Sequence, residues 1–446
     1  MIPSPGGRET RSMLLNIGPS HPAMHGVIRL ITELEGEMVV GVEAEIGYLH
    51  RAFEKSCENS QWTQAIPYTD RLNYVSPLIN NFGYCAAVEK LLGIQITERC
   101  KYIRVIMSEI SRLTDHLTCI AASAMELGAM TAFLYLMKAR EYLYEIIEEV
   151  TGARLTISYG RIGGVKGDLP EGLKGTIESA LVKTEKEIGE VDKLLTRNRI
   201  FVDRTRDVGI LTRENAIRYS ITGPLGRASG VNYDVRKAFP YFAYDRVDFE
   251  IPLGERGDNY DRYLVRMEEM RQSIRIVRQC LRDIPSGAVH VDPQGKSLTS
   301  MEMVDEAKLG HTAGLVHAVT TVEPTLEGSE RPFYDRIMAR DKRVNLPNKA
   351  DTYGNIEGLM NHFKLIMDSH GIRPPEGDTY FAVEGANGEL GFYVASDGTD
   401  KPYRVRVRAP CFFAMAGLHR MLKGYMVADI VATFGSINMI AGELDR

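Results

Sequence analysis

Cysteine is scarce in this chain, and none of its six copies falls into a C-x-x-C pair. Cys57, Cys85, Cys100, Cys119, Cys280 and Cys411 lie far apart, which leaves no cluster-binding pattern and fits reduced thiols in a cytosolic compartment better than a disulfide framework. A nucleotide loop is missing too. The glycine-rich stretch "YGRIGGVKGDLPEG" (159–172) matches neither G-x-G-x-x-G nor the phosphate loop with its Lys-Ser/Thr. No block of Lys and Arg interrupts a chain of formal net charge −5, so nucleic acid is a disfavoured partner. The start lacks an apolar core of signal-peptide length. The longest near-apolar run, 119–137, carries Glu126 and many small residues, and reads as a buried helix rather than a membrane span. Membrane association is therefore expected to be peripheral or through partners.

What is present suffices for a large core: 446 residues, 44% hydrophobic and 25% charged. A first candidate site is "GPSHPAMHG" (18–26), where His21 and His25 stand four apart, a spacing that on a helix can hold a transition metal. Pro19, Pro22 and Gly26 oppose a regular helical turn, and no Glu follows His21, so the metalloprotease pattern is missing. The flanks "RSMLLNI" and "VIRLITELEG" read as short strands. That leaves both imidazoles on a turn, either capping backbone groups or joining a site built with other residues.

The coarse pattern is α+β, a large central helical core with small β-sheets near the N- and C-terminal ends. Residues 1–40 form an N-terminal β region and 41–284 a central helical domain; 285–352 read as an extended surface insertion, and 353–446 as a C-terminal α+β region that closes the core. Apolar spacing of three and four predicts one long helix or two in tandem over 99–152, and further helices at 173–196 and 259–283. The last of these mixes both charges on its polar face, as a solvated or interface helix would. "TYFAVEGANGELGFYVASDG" and "PYRVRVRAP" predict three strands with an Asn387-Gly388 hairpin turn, and a final helix is expected over 414–433.

Several segments in order, "GPSHPAMHGVIRL", "IGYLHRAFEK", "PYTDRLNYVS", "YIRVIMSEISRLTDHL", "GRIGGVKGDLP", "GDNYDRYLVRMEEMRQSIRI" and "RAPCF", resemble the NuoD-type subunit of NADH:quinone oxidoreductase, respiratory complex I, over essentially the whole chain. The resemblance implies a fold like the large subunit of nickel-iron hydrogenases, which hold their metals through two C-x-x-C pairs. The corresponding stretches here, "DRLNYVS" and "SINMIAGELDR", contain no cysteine, so soft ligands for nickel and iron are absent and no metal is expected. In place of the metal the resemblance implies a quinone headgroup between His25 and Tyr74, with His21 behind in a supporting role. Glu126 in "MELGA" takes the place of a family aspartate that partners the histidine, with an arm one methylene longer. Arg51 in "YLHRAFEK" matches an arginine beside the terminal 4Fe-4S cluster of a partner subunit. Two-electron reduction makes a quinone strongly basic, and an imidazole and a phenol can each donate to its oxygens as charge develops.

Two departures stand out. Thr156 in "ARLT" replaces a second cluster-proximal histidine, and the excursion between "DIPSG" and "YGNIEG", with His311 and His317, is longer than in many relatives. The resemblance thus implies the quinone-reducing core of a proton-translocating NADH:quinone oxidoreductase, peripheral on the cytoplasmic side of the cell (inner) membrane. It implies that this chain binds no cofactor alone, that quinone (ubiquinone or menaquinone) is the substrate, and that the 4Fe-4S cluster sits in an adjacent small subunit. A membrane-arm subunit would line the quinone tunnel. Two alternatives stand beside it: a catalytically silent scaffold of the hydrogenase fold, or the same quinone site fed by ferredoxin or F420H2.

Overall fold

The computed structural model describes residues 12–291, 343–344, 346–347, 349–354, 356–367 and 370–446. Most of the 285–352 excursion, with His311 and His317, lies outside the described residues.

Three antiparallel strands, β1 (Ser12–Ile17), β2 (Arg29–Glu35) and β3 (Met38–Glu45), open the chain in the order β1-β2-β3. Alternation fixes their inward face, with Leu30, Thr32 and Leu34 of β2 buried. The helical core follows: α1 (Pro77–Leu92), α2 (Glu98–Glu126), α3 (Met130–Thr151), α4 (Leu173–Leu195) and α5 (Asn259–Asp283), joined by shorter helices. Thr97 caps α2 by accepting the Cys100 N–H at 3.3 Å, and Asp258 caps α5 by accepting the Asp261 N–H at 2.8 Å. The predicted tandem over 99–152 is two helices. Gly128, at φ 89°, makes the break between them, and Gly152 ends α3 with its N–H on the Glu148 carbonyl at 2.8 Å.

α2 is the axis of the molecule, buried on almost every side from Tyr102 to Leu117. It carries charge into that interior, where ion pairs and hydrogen bonds receive it. Arg104 meets Glu89 of α1 at 2.5 and 2.8 Å, and Glu109 receives Arg112, Arg236, Tyr244 and Ser273. Helix α5 corrects its sequence reading. Its boundaries are as expected, but Arg262, Arg266 and Glu269 are buried rather than solvated, while Arg271, Arg275, Arg278 and Arg282, with Glu268 and Asp283, follow the solvated pattern. Periodicity marks the charged face but cannot tell that carbonyls and carboxylates of other elements receive those guanidinium groups.

The C-terminal sheet is β4 (Gly377–Gly385), β5 (Gly388–Ser396) and β6 (Arg404–Arg408); the hairpin is as expected, but its two-residue turn is Ala386-Asn387, one residue before the predicted Asn387-Gly388, because Gly388 already pairs with Gly385. The single helix expected over 414–433 is instead α6 (Pro410–Ala416), α7 (Leu418–Leu422) and α8 (Val427–Ile437), followed by α9 (Ala441–Asp445). Gly424, at φ 87°, sits in the turn between α7 and α8, where its N–H donates to the Val39 carbonyl of β3 at 2.8 Å. This packing explains how the site is assembled: Leu30, Leu34 and Val39 of the first sheet share one core with Leu418, Met421 and Phe434. The two ends of the chain thereby meet.

Candidate functional site

The "HPAMH" stretch is a single 3-10 turn, Pro22–Met24, between β1 and β2, as expected for histidines on a turn between strands. His21 is its N-cap: Nδ1 accepts the Ala23 N–H at 3.3 Å while the ring is exposed. Met24 and Ala23 anchor the turn in the core shared with α8. His25 closes it in the left-handed region, φ 49°, ψ 18°, which a residue with a Cβ adopts at a cost of about 1 kcal/mol. This conformation carries the half-buried imidazole off the turn, and its Nε2 meets Glu126 Oε1 at 2.8 Å.

Glu126 is the last residue of α2, where the helix dipole disfavours an added negative charge and a hydrogen-bond donor offsets it. Its second oxygen, Oε2, is buried without a hydrogen-bond partner among the described residues and lies against Gly435 of α8. A Cβ at Gly435 would stand 2.8 Å from that oxygen and 3.3 Å from Ser123 Oγ. The glycine makes room for the acid.

Tyr74 approaches from the loop before α1 and packs, half-buried, against the core that also holds Met24, Met439 and Ala441. Burial first, then Asp115 and Cys411, push its phenol above the usual range, with Arg51 pulling the other way. The proton is held, as a donor requires. The loop is fixed through Asp115 of α2, whose Oδ2 accepts Asn73 Nδ2 and Ser76 Oγ, each at 2.8 Å, and whose Oδ1 accepts Asn438 Nδ2 at 2.6 Å. The stretches "DRLNYVS" and "SINMIAGELDR" therefore converge on one buried carboxylate. The second also borders the histidine turn, since a Cβ on Gly26 would stand 2.9 Å from the Ala441 side chain. His25 and Tyr74 flank the same C-terminal segment.

Arg51 stitches that segment to the tyrosine loop, donating to the Arg71 carbonyl at 2.6 Å and the Gly442 carbonyl at 2.9 Å from an exposed position. Burial of part of the guanidinium, then Arg71, lower its pKa. Thr156 is exposed in the turn region after α3. Sequence reasoning missed Asp115, Asn438, Asn387, Cys411 and Glu443, a connected buried polar cluster behind the tyrosine. Among the described residues no group of three His, Cys, Asp or Glu side chains is arranged to hold a metal ion, and no helix is long and apolar enough to cross a membrane.

Residues 126–446 match the family described as respiratory-chain NADH dehydrogenase, 49 Kd subunit. The chain is 49% identical over 438 residues to the NADH-quinone oxidoreductase D-type subunit of Myxococcus xanthus, covering 98% of this chain and 94% of that protein. It is 47% identical over 434 residues to the D-type subunit of Pelobacter propionicus, covering 97% and 95%. It is also 46% identical over 432 residues to the combined C/D-type subunit of Bdellovibrio bacteriovorus, covering 97% of this chain and 68% of that longer protein.

Proposed function

The chain belongs to the 49 kDa subunit family of the respiratory-chain NADH dehydrogenase, an enzyme subunit of complex I, and on that premise we propose that it forms the quinone headgroup site. His25 and Tyr74 are the groups that donate to the two quinone oxygens, Glu126 orients His25, and His21 holds the turn that carries it. Electrons arrive one at a time from the 4Fe-4S cluster of an adjacent small subunit, near Arg51, whose fixed positive charge favours the reduced cluster. The chain lies at the membrane surface, where the quinone reaches it through a tunnel shared with a membrane-arm subunit.

The observation that carries this reading is the 2.8 Å pair between His25 Nε2 and Glu126 Oε1, on a turn anchored in the same core that Tyr74 packs on. A carboxylate on one imidazole nitrogen fixes the ring's orientation, as a group that must give up and regain a proton at a set position during quinone reduction requires. As quinone oxygens gain negative charge, an N–H and an O–H aimed at them stabilise the charged state more than the neutral one.

Replacing Tyr74 with Phe keeps the ring packing and removes the proton. Quinone reduction by the assembled complex is expected to fall by roughly 10²-fold with assembly intact. A silent scaffold would show unchanged turnover.

A further inference from the structure

Behind Tyr74 lie two buried carboxyl groups in contrasting settings. Asp115 accepts three hydrogen bonds, from Asn73, Ser76 and Asn438, the full donor set that suits a carboxylate. Glu443 of α9 is 2% exposed, accepts the Cys411 N–H at 3.0 Å, and has no Lys, Arg or His within ion-pair distance among the described residues. A buried acid with so little compensation is more stable holding its proton. Cys411 belongs to the core that Tyr74 packs on, and its thiol donates to the Asn438 carbonyl at 3.8 Å. Its thiol is adjacent to the Glu443 carboxyl, it receives Asn387 Nδ2 at 3.4 Å, and it is one of the two groups that act electrostatically to raise the Tyr74 phenol. The charged and titratable groups facing Glu443 are Cys411 from α6, Asp115 from α2, Arg408 from the end of β6, and Arg51, which reaches the neighbouring Gly442 carbonyl.

From this cluster we infer that Glu443 is the proton store that restores Tyr74 after each donation. The inference rests on the quinone reading above. Two electrons from the partner subunit's iron–sulfur cluster reduce the quinone, His25 gives a proton to one oxygen, and Tyr74 breaks its O–H bond to form the other quinol O–H, leaving a phenolate. The Glu443 carboxyl then gives its proton to that phenolate by way of the Cys411 thiol, which receives one proton and passes one on. The carboxylate left behind is reprotonated from water. Glu443 acts through Tyr74 and never touches the quinone. Burial, assisted by Asp115 and opposed by the Cys411 N–H and Arg408, raises the Glu443 carboxyl to about 7, so the store is filled on the acid side of neutrality and emptied as pH rises.

The test is the pH profile of quinone reduction by the assembled complex carrying Glu443→Gln or Glu443→Asp, with the infrared carboxyl band of the same samples. The wild-type complex is expected to lose turnover on the alkaline side of neutrality. E443Q is expected to be about tenfold slower, to lack that alkaline limb, to leave the KM for quinone unchanged, and to lose a carboxyl band that the wild type shows in acid. E443D is expected to keep the limb and shift the band, which assigns the band should E443Q fail to assemble. Turnover per assembled complex and a pH profile equal to wild type in E443Q would overturn the proposal, as would an E443D complex that leaves the band where it was. Failure of the underlying reading looks different: Tyr74→Phe would then leave turnover unchanged.

Discussion

A carboxylate closing a long helix faces the negative pole of that helix, and at Glu126 the offsetting donor is the imidazole of His25, itself fixed by a left-handed backbone and a capped turn. The pair is thus held from both sides. Glu126→Ala is expected to lower quinone turnover by roughly 10- to 100-fold, because the ring loses both its orienting partner and its stabilising charge. Glu126→Asp is expected to lose less than about tenfold, since the charge remains and only the reach changes. Steady-state assays on complexes with equal subunit content check both. His25, Tyr74, Glu126 and Arg51 are legible in the sequence only because their motifs resemble a family; spacing alone suggested a metal at the two histidines. Asp115 and Glu443 are illegible, because an acid with neutral donors looks in sequence like any surface acid.

At the scale of elements, the site depends on how closely α8 crosses the end of α2. Gly435 permits that approach, and the atom a Cβ would meet is the end of a flexible side chain, Glu126 Oε2 at 2.8 Å. Gly435→Ala is expected to leave the fold within about 1 kcal/mol, since alanine favours the helix by a similar amount, and to push the acid off His25. Thermal melting unchanged to within a few degrees, with turnover down about tenfold on the same preparation, is the expected result. Helix and strand periods were legible in sequence for α2 to α5 and for the C-terminal hairpin. The three-way break of 414–433 was not, because the turn at Gly424 depends on β3 taking up the exposed backbone groups: the Gly424 N–H donates to the Val39 carbonyl and Val39 N–H to the Tyr425 carbonyl.

For the whole molecule, the deciding feature is the meeting of the chain ends over a core stiffened by buried charge. Arg227 alone joins Glu269, Glu384 and Asp234, and Glu269 in turn holds His116 at 2.8 Å. Arg227→Met leaves three buried acids without their shared cation and is expected to cost at least about 3–5 kcal/mol, measured by denaturant unfolding. Charge content was plain from sequence, yet its burial was not, because pairing across 157 residues of chain, as between Arg227 and Glu384, leaves no local pattern. The same holds for the ends: nothing in β1 to β3 announces that α7 packs on β3 and that α8 meets the histidine turn, and only the resemblance placed Tyr74 and the C-terminal stretch together. The central claim is that this junction receives a quinone between an imidazole and a phenol. An experimental map of the assembled complex with a bound short-chain quinone tests it most directly. One headgroup oxygen is predicted within about 3 Å of Tyr74 Oη and the other at the same distance from the His25 ring; a headgroup bound elsewhere, with both donors sealed away from it, would contradict the account.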